Sequence, residues 1–148
     1  MRAQLRGLIA ALLLGACGGG SPAVVIPPET SMAPDDRLSE VVSDVLQADA
    51  RLDPLDSLYA ADALVIADGE VRYGLPRFAG IDGRGSVAVT ATRIEVRGSM
   101  AWAQAEYRWV AAAGDSAREG RVTLVLTPNE KGAWRIRHAH SSSPPPGL

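Results

Sequence analysis

A short helical region followed by a long run of strands predicts an α+β domain, with helices packed on one face of a strongly bent antiparallel sheet. Three observations carry that expectation. Apolar residues recur at helical spacing around residue 40, the hairpin-turn dipeptide Asp68-Gly69 marks the first strand pair, and four long segments separated by Gly or Pro turns then alternate apolar and polar residues. The chain has 148 residues, enough for one domain and short appendages but not for a two-domain enzyme. Hydrophobic residues at 47% and charged residues at 22% are globular proportions and exclude a wholly disordered chain.

Leu38, Val41, Val42 and Val45 follow the i, i+3, i+4, i+7 pattern, with Asp36, Arg37, Glu40, Ser43 and Asp44 off that stripe and Asp35 as the expected N-cap. Asp53-Pro54-Leu55-Asp56 supplies a cap, a proline at the first helical position and an acid in the first turn, which predicts a second short helix reaching Tyr59. Residues 63–67 read as a strand, Asp68-Gly69 as its turn and residues 71–73 as the returning strand. Residues 74–85 hold Gly74, Pro76, Gly80, Gly83 and Gly85, so only a helical turn near 77–81 is expected there. Strands are expected over residues 86–97, 100–110, 118–127 and 133–141. In the first of these, Val87, Val89 and Ala91 share one face and Ala88, Thr90, Thr92 and Ile94 the other.

The N-terminus has the marks of an address. Arg2 and Arg6 precede an apolar stretch over residues 8–16 that is too short to span a bilayer, and Leu14-Gly15-Ala16-Cys17 resembles the bacterial lipobox. The expected organisation is a lipoprotein signal peptide over 1–16, a lipidated Cys17 with a flexible tether through 34, a folded domain over 35–143 and a Pro-rich tail over 144–148. The expected location is the bacterial cell envelope, with the membrane as a partner through lipid on Cys17. The lone cysteine excludes an internal disulfide or a multi-Cys metal site. With 15 basic and 17 acidic residues, a net charge of −2 excludes a dedicated nucleic-acid binder.

Four blocks then carry a resemblance. They are residues 58–63 (Leu-Tyr-Ala-Ala-Asp-Ala), Ala101-Trp102-Ala103 with Tyr107-Arg108, Gly120-Arg121-Val122-Thr123, and the final run from Gly132 to Ser141. Their order and spacing resemble the nuclear transport factor 2-like superfamily, in particular its SnoaL-like branch, which includes the association domain of calcium/calmodulin-dependent kinases. The most specific element is Trp134-x-Ile136-x-His138-x-His140-Ser141. The resemblance implies a cone-shaped, cystatin-like fold with an internal pocket, usually dimeric. Relatives carry a full third helix where this chain has residues 74–85, so a shallow or more open pocket is expected.

Strict alternation places Trp134, Ile136, His138 and His140 on one face of the last strand. With Tyr107 and Arg121 on neighbouring strands they form the candidate ligand site, Arg121 as a forked donor beside the two imidazoles, suited to a small, partly apolar anion. The His-x-His pair has no third metal ligand at a motif spacing, Glu106, Asp115 and Glu119 being the nearest acids by topology, so no metal or other cofactor is expected. Trp102, Trp109 and Trp134 read as core or interface residues. Ketosteroid isomerase chemistry needs a carboxylate base on the first strand, and the corresponding position is Ala67, while Asp68 sits in the turn. Two readings follow. The first is a lipid-anchored, non-catalytic binding or assembly module that forms a homodimer; the second is a small isomerase, cyclase or hydrolase using His138 or His140 as base.

Overall fold

The apolar stripe around residue 40 forms helix α1 (Asp36–Arg51) in the computed structural model, which describes residues 36–114 and 116–145. Leu38, Val42, Val45 and Leu46 are buried along it while Asp36, Arg37, Glu40 and Asp44 look outward. The helix ends with Leu52 in the left-handed region (φ 58°). The Asp53 N–H donates to the Ala48 carbonyl at 2.9 Å and the Leu52 N–H to that of Asp49 at 3.0 Å, a Schellman end made without glycine. The signal segment, Cys17, the tether, the cap Asp35, Asp115 and the last three tail residues lie outside the described residues. Among the described residues no helix is long and apolar enough to cross a membrane.

The second helix is a correction. Leu55 takes φ 33°, and only a 3₁₀ turn, Asp56–Leu58, forms before the chain enters the sheet at Tyr59. The capping signals at Asp53 and Pro54 are local, whereas Tyr59 pairs with Ile136 and its ring lies 4.6 Å beneath the Arg77 guanidinium. Tertiary pairing overrides the helix signal.

The six strands are β1 (Tyr59–Ala67), β2 (Glu70–Val71), β3 (Gly85–Arg97), β4 (Met100–Ala111), β5 (Ala117–Pro128) and β6 (Trp134–Ser142), ordered β2-β1-β6-β5-β4-β3 in one sheet. Asp68 (φ 50°) and Gly69 (φ 82°) make the expected tight turn between β1 and β2. The strand after it is two residues long and stops short of Tyr73. The long strands β3 to β6 form the expected antiparallel meander, but β1 joins β6 in parallel, so the sheet is mixed. Helix α1 covers one face, chiefly over β3 and β4, and the core gathers Leu38, Val42 and Leu46 against Ala103, Tyr107, Leu124, Leu126 and Ile136. This is the α+β cone that the sequence predicts.

Irregular residues set which side chains face the core. In β3 the partners step from Val89↔Tyr107 to Ala91↔Glu106, leaving Thr90 as an extra residue whose hydroxyl donates to the Glu106 carbonyl at 3.2 Å. In β6 they step from Ile136↔Leu126 to His138↔Val125, leaving Arg137 as the extra residue. Each bulge bends its strand and reverses the alternation beyond it. Val96, paired with buried Ala101, and Ile94, paired with buried Ala103, therefore join Val87 and Val89 on the core side, and Ala91 turns outward.

Candidate functional site

Residues 74–84 form an irregular strap packed into the core. Phe78, Ala79 and Ile81 are buried in it. Its backbone is held by side chains from three elements. The Asp49 carboxylate, on α1, accepts the Arg77 N–H (2.8 and 2.9 Å to its two oxygens) and the Phe78 N–H (3.0 Å). The Ser141 hydroxyl, on β6, accepts the Ala79 N–H at 3.0 Å and donates to the Ile66 carbonyl at 3.3 Å. The Tyr107 hydroxyl, on β4, donates to the Ala79 carbonyl at 2.5 Å. Arg77 closes the strap at the surface, donating to the Pro54 carbonyl at 2.6 Å and pairing with Asp56 at 2.8 Å.

Asp49 and Ser141 are the buried polar residues of the described core. Burial pushes the Asp49 carboxyl above the usual aspartate range, opposed by the Arg77 and Phe78 N–H groups and by the Arg77 charge. Burial also raises Tyr107, with the Asp49 and Asp68 charges adding to it, and it raises Tyr59. The Trp109 indole N–H is buried without a hydrogen-bond partner among the described residues. Sequence reasoning missed Asp49 and Ser141 as interior residues. The signal for Asp49 was an acid flanked by Ala48 and Ala50 on the apolar side of α1.

The sequence-predicted ligand site does not assemble. Tyr107 is buried inside the cone, whereas Arg121, on the adjacent strand, is exposed on the opposite, outer face, its Nε 3.1 Å from the Glu106 carboxylate. The Arg137 bulge likewise separates Ile136, buried in the core, from His138 and His140, which point outward. Trp134 stays half-buried on the core side, beside Val41 and Leu58 of the helical region. Where a more open pocket is expected, the strap places Phe78 and Ile81 in the core cluster. Ala67 is buried, and the Asp68 carboxylate accepts the Ser143 N–H at 2.7 Å and the Ser143 hydroxyl at 3.1 Å. Among the described residues no group of three His, Cys, Asp or Glu side chains is placed to hold a metal ion.

The two histidines lie in rows that run across the outer face. Leu64, His138, Val125, Trp102 and Glu95 are successive register partners from β1 to β3, and Ile66, His140, Thr123, Gln104 and Arg93 form the next row. Leu64 and Trp102 stay 41% and 37% exposed, apolar members of a row that also holds His138 and Glu95. Ion pairs lie on the same face: Arg93 with Glu95 at 2.6 Å and Arg121 with Glu106 at 3.1 Å.

Comparison with known proteins agrees with this architecture. A family model described as a SnoaL-like domain matches residues 45–146. No curated protein is detectably similar in sequence. A nuclear transport factor 2-like superfamily protein from Salmonella enterica serovar Typhimurium superposes with a TM-score of 0.61 at 20% identity, over 76% of this chain and 93% of that one. The CaMKII hub of S. rosetta gives 0.56 at 18% identity, over 76% and 98%. A ketosteroid isomerase-like protein from Erwinia carotovora atroseptica gives 0.54 at 13% identity, over 73% and 94%. At these identities the likeness is one of fold.

Proposed function

The chain belongs to the SnoaL-like domain family, and from that membership we propose that it is a non-catalytic assembly module, closed inside by its own strap and working through the outer face of its sheet. The observation that supports this reading is the bonding of the strap. Asp49, Ser141 and Tyr107 direct their interior hydrogen bonds to the backbone of residues 77–79, so the groups best placed for acid, base or oxyanion roles are already engaged by the chain itself. The outer face offers what association needs: apolar side chains at Leu64, Trp102 and Val125 in one row, with charges of both signs on the same face that a two-fold axis would bring into opposition. We further propose that lipid on Cys17 tethers this module to the membrane of a bacterial envelope.

Sedimentation of the full chain in detergent at micromolar concentration tests the assembly. Twice the mass of the chain is expected, with Trp102→Glu reducing it to the monomer, and a monomeric parent would overturn the reading. Cys17→Ser is expected to release the chain from membranes, and a variant still bound would remove the anchor. The enzyme reading has one observation in its favour, the buried Asp49 carboxyl with raised proton affinity. Turnover of a small molecule that is lost in Asp49→Asn while the fold survives would establish it. His138 and His140, on the outer face, cannot serve as bases inside the cone.

A further inference from the structure

A second concave surface lies between the strap, the β1–β2 turn and the start of β5, separate from both the core and the outer sheet face. It is a groove of about 510 Å³, within the usual range for small-ligand sites. Tyr73 lines it and is 93% exposed, whereas Phe78 and Ala79, which line the same groove, are buried. The strap backbone that lines the groove is fixed by the Asp49, Ser141 and Tyr107 bonds, while the Tyr73 side chain, which also lines it, lies almost wholly open to solvent.

Both arginines that line this groove are paired, and Asp68, which also lines it, is held by neutral donors. Asp82 pairs with Arg118 at 2.9 Å, Arg72 with Glu70 at 3.3 Å, and Asp68 is held by the N–H and hydroxyl of Ser143. An anion would need an unopposed cation, and both arginines that line the groove are already paired; the Asp68 oxygens, which accept only from neutral Ser143 groups, suit hydroxyl donors. A neutral polyhydroxyl molecule has the complementary chemistry: each hydroxyl both donates and accepts, so it bonds to carboxylate oxygens and guanidinium N–H groups that are already paired. The C–H face of a sugar ring also packs on an aromatic ring whose polar tip stays in water. We propose that this groove binds a neutral saccharide, with Tyr73 as its stacking platform and Asp82, Arg118 and Arg72 as hydrogen-bonding partners. Because the strap backbone is already fixed, ordering costs fall mainly on Tyr73 and the ligand.

Calorimetry or two-dimensional NMR on the full chain tests this with two neutral probes, the β-1,4-linked trimer of N-acetylglucosamine and maltotriose, and with citrate as an anionic control. At least one saccharide is expected to bind saturably. Tyr73→Ala should weaken it by about tenfold or more and Tyr73→Trp should retain it, with the melting temperature unchanged in both because the side chain is exposed. Binding of neither saccharide at about 10 mM, unchanged binding by Tyr73→Ala, or preferential binding of citrate would each overturn the proposal. The sedimentation mass is expected to be the same in all Tyr73 variants, so loss of saccharide binding and loss of assembly are distinguishable.

Discussion

The Arg137 guanidinium lies 2.5 Å from the Asp62 carboxylate, joining the extra residue of the β6 bulge to the irregular stretch of β1 beside it. Strand β1 passes from Tyr59↔Ile136 to Leu64↔His138, so residues 60–63 are taken up in the space where β6 takes up one. The same guanidinium donates to the Thr127 hydroxyl at 3.2 Å, so the bulged residue ties β6 to both its neighbours. The consequence for the outer face is checkable by chemistry. In a Cys17→Ser background, His140→Cys is expected to react rapidly with a thiol reagent and Ala139→Cys to be protected; the reverse order would mean that β6 alternates without a bulge. Arg137→Ala should keep that order and cost less than about 1 kcal/mol in urea unfolding, because both partners of the pair are exposed.

That bulge also marks where the sequence stops being legible. The long strands, the Asp68-Gly69 turn and the first helix follow from periodicity and turn chemistry and form where those signals lie, while the cone fold is what the resemblance at residues 134–141 and the other three blocks implies. Face assignments hold only while the period of two is unbroken. In β6, alternation counted from Ile136 puts both imidazoles in the core, and one extra residue reverses them. No residue type announces it: Arg137 reads like any polar strand residue, and its partner Asp62 is distant in sequence. Thr90 does the same in β3, turning Ala91 out and Ile94 in. The buried polar residues were hidden differently. Ser141 sits at a strand end among serines, and its role depends on a strap distant in sequence.

Gly120 and Tyr107 are register partners on β5 and β4, and the tyrosine ring occupies the space that a side chain at 120 would need. A Cβ there would stand 2.4 Å from Tyr107 Cζ and 2.5 Å from its hydroxyl oxygen. Tyr107 cannot swing aside without breaking its bond to the Ala79 carbonyl and vacating the core. Gly120→Ala is expected to destabilise by about 2–4 kcal/mol, more than strand propensity alone could explain. Combining it with Tyr107→Ala should give less than the sum of the two single effects, since the second change removes the ring that the first collides with. Additive effects in urea unfolding would show that the two positions do not compete for space.

Asp49 gives the stability a defined pH dependence. Its carboxyl is raised above the ordinary aspartate value, so the folded state binds this proton more tightly than the unfolded chain does. The stabilisation linked to that proton is fully present below the unfolded value of about 4 and is lost as pH rises through the folded value. Asn at this position does not titrate. The stability of the parent relative to Asp49→Asn, measured by chemical unfolding, is therefore expected to be greatest near pH 4 and to decline towards pH 7. A difference that grows with pH would mean that the Arg77 and Phe78 N–H bonds outweigh burial and hold the carboxylate below its usual range. At every pH the variant should remain the less stable, because an amide nitrogen facing backbone donors leaves a buried N–H unpaired, at a cost of about 1–3 kcal/mol.

Phe78 tests whether the strap truly fills the cone. Its side chain is 2% exposed and belongs to the same core cluster as Leu46, Tyr107 and Ile136. The strap backbone around it is fixed from α1, β4 and β6, so truncation cannot be relieved by simple collapse of the loop. Phe78→Ala is expected to cost about 3–5 kcal/mol and to leave a cavity beside Ala79. An apolar cavity of that kind takes up a small hydrocarbon, and ligand bound only to the folded state raises its melting temperature. Benzene should therefore raise the melting temperature of Phe78→Ala and leave that of the parent unchanged. Equal stabilisation of both proteins would mean that the cone already holds an accessible apolar cavity with Phe78 in place. The enzyme reading would then regain the enclosed site that the strap now denies it.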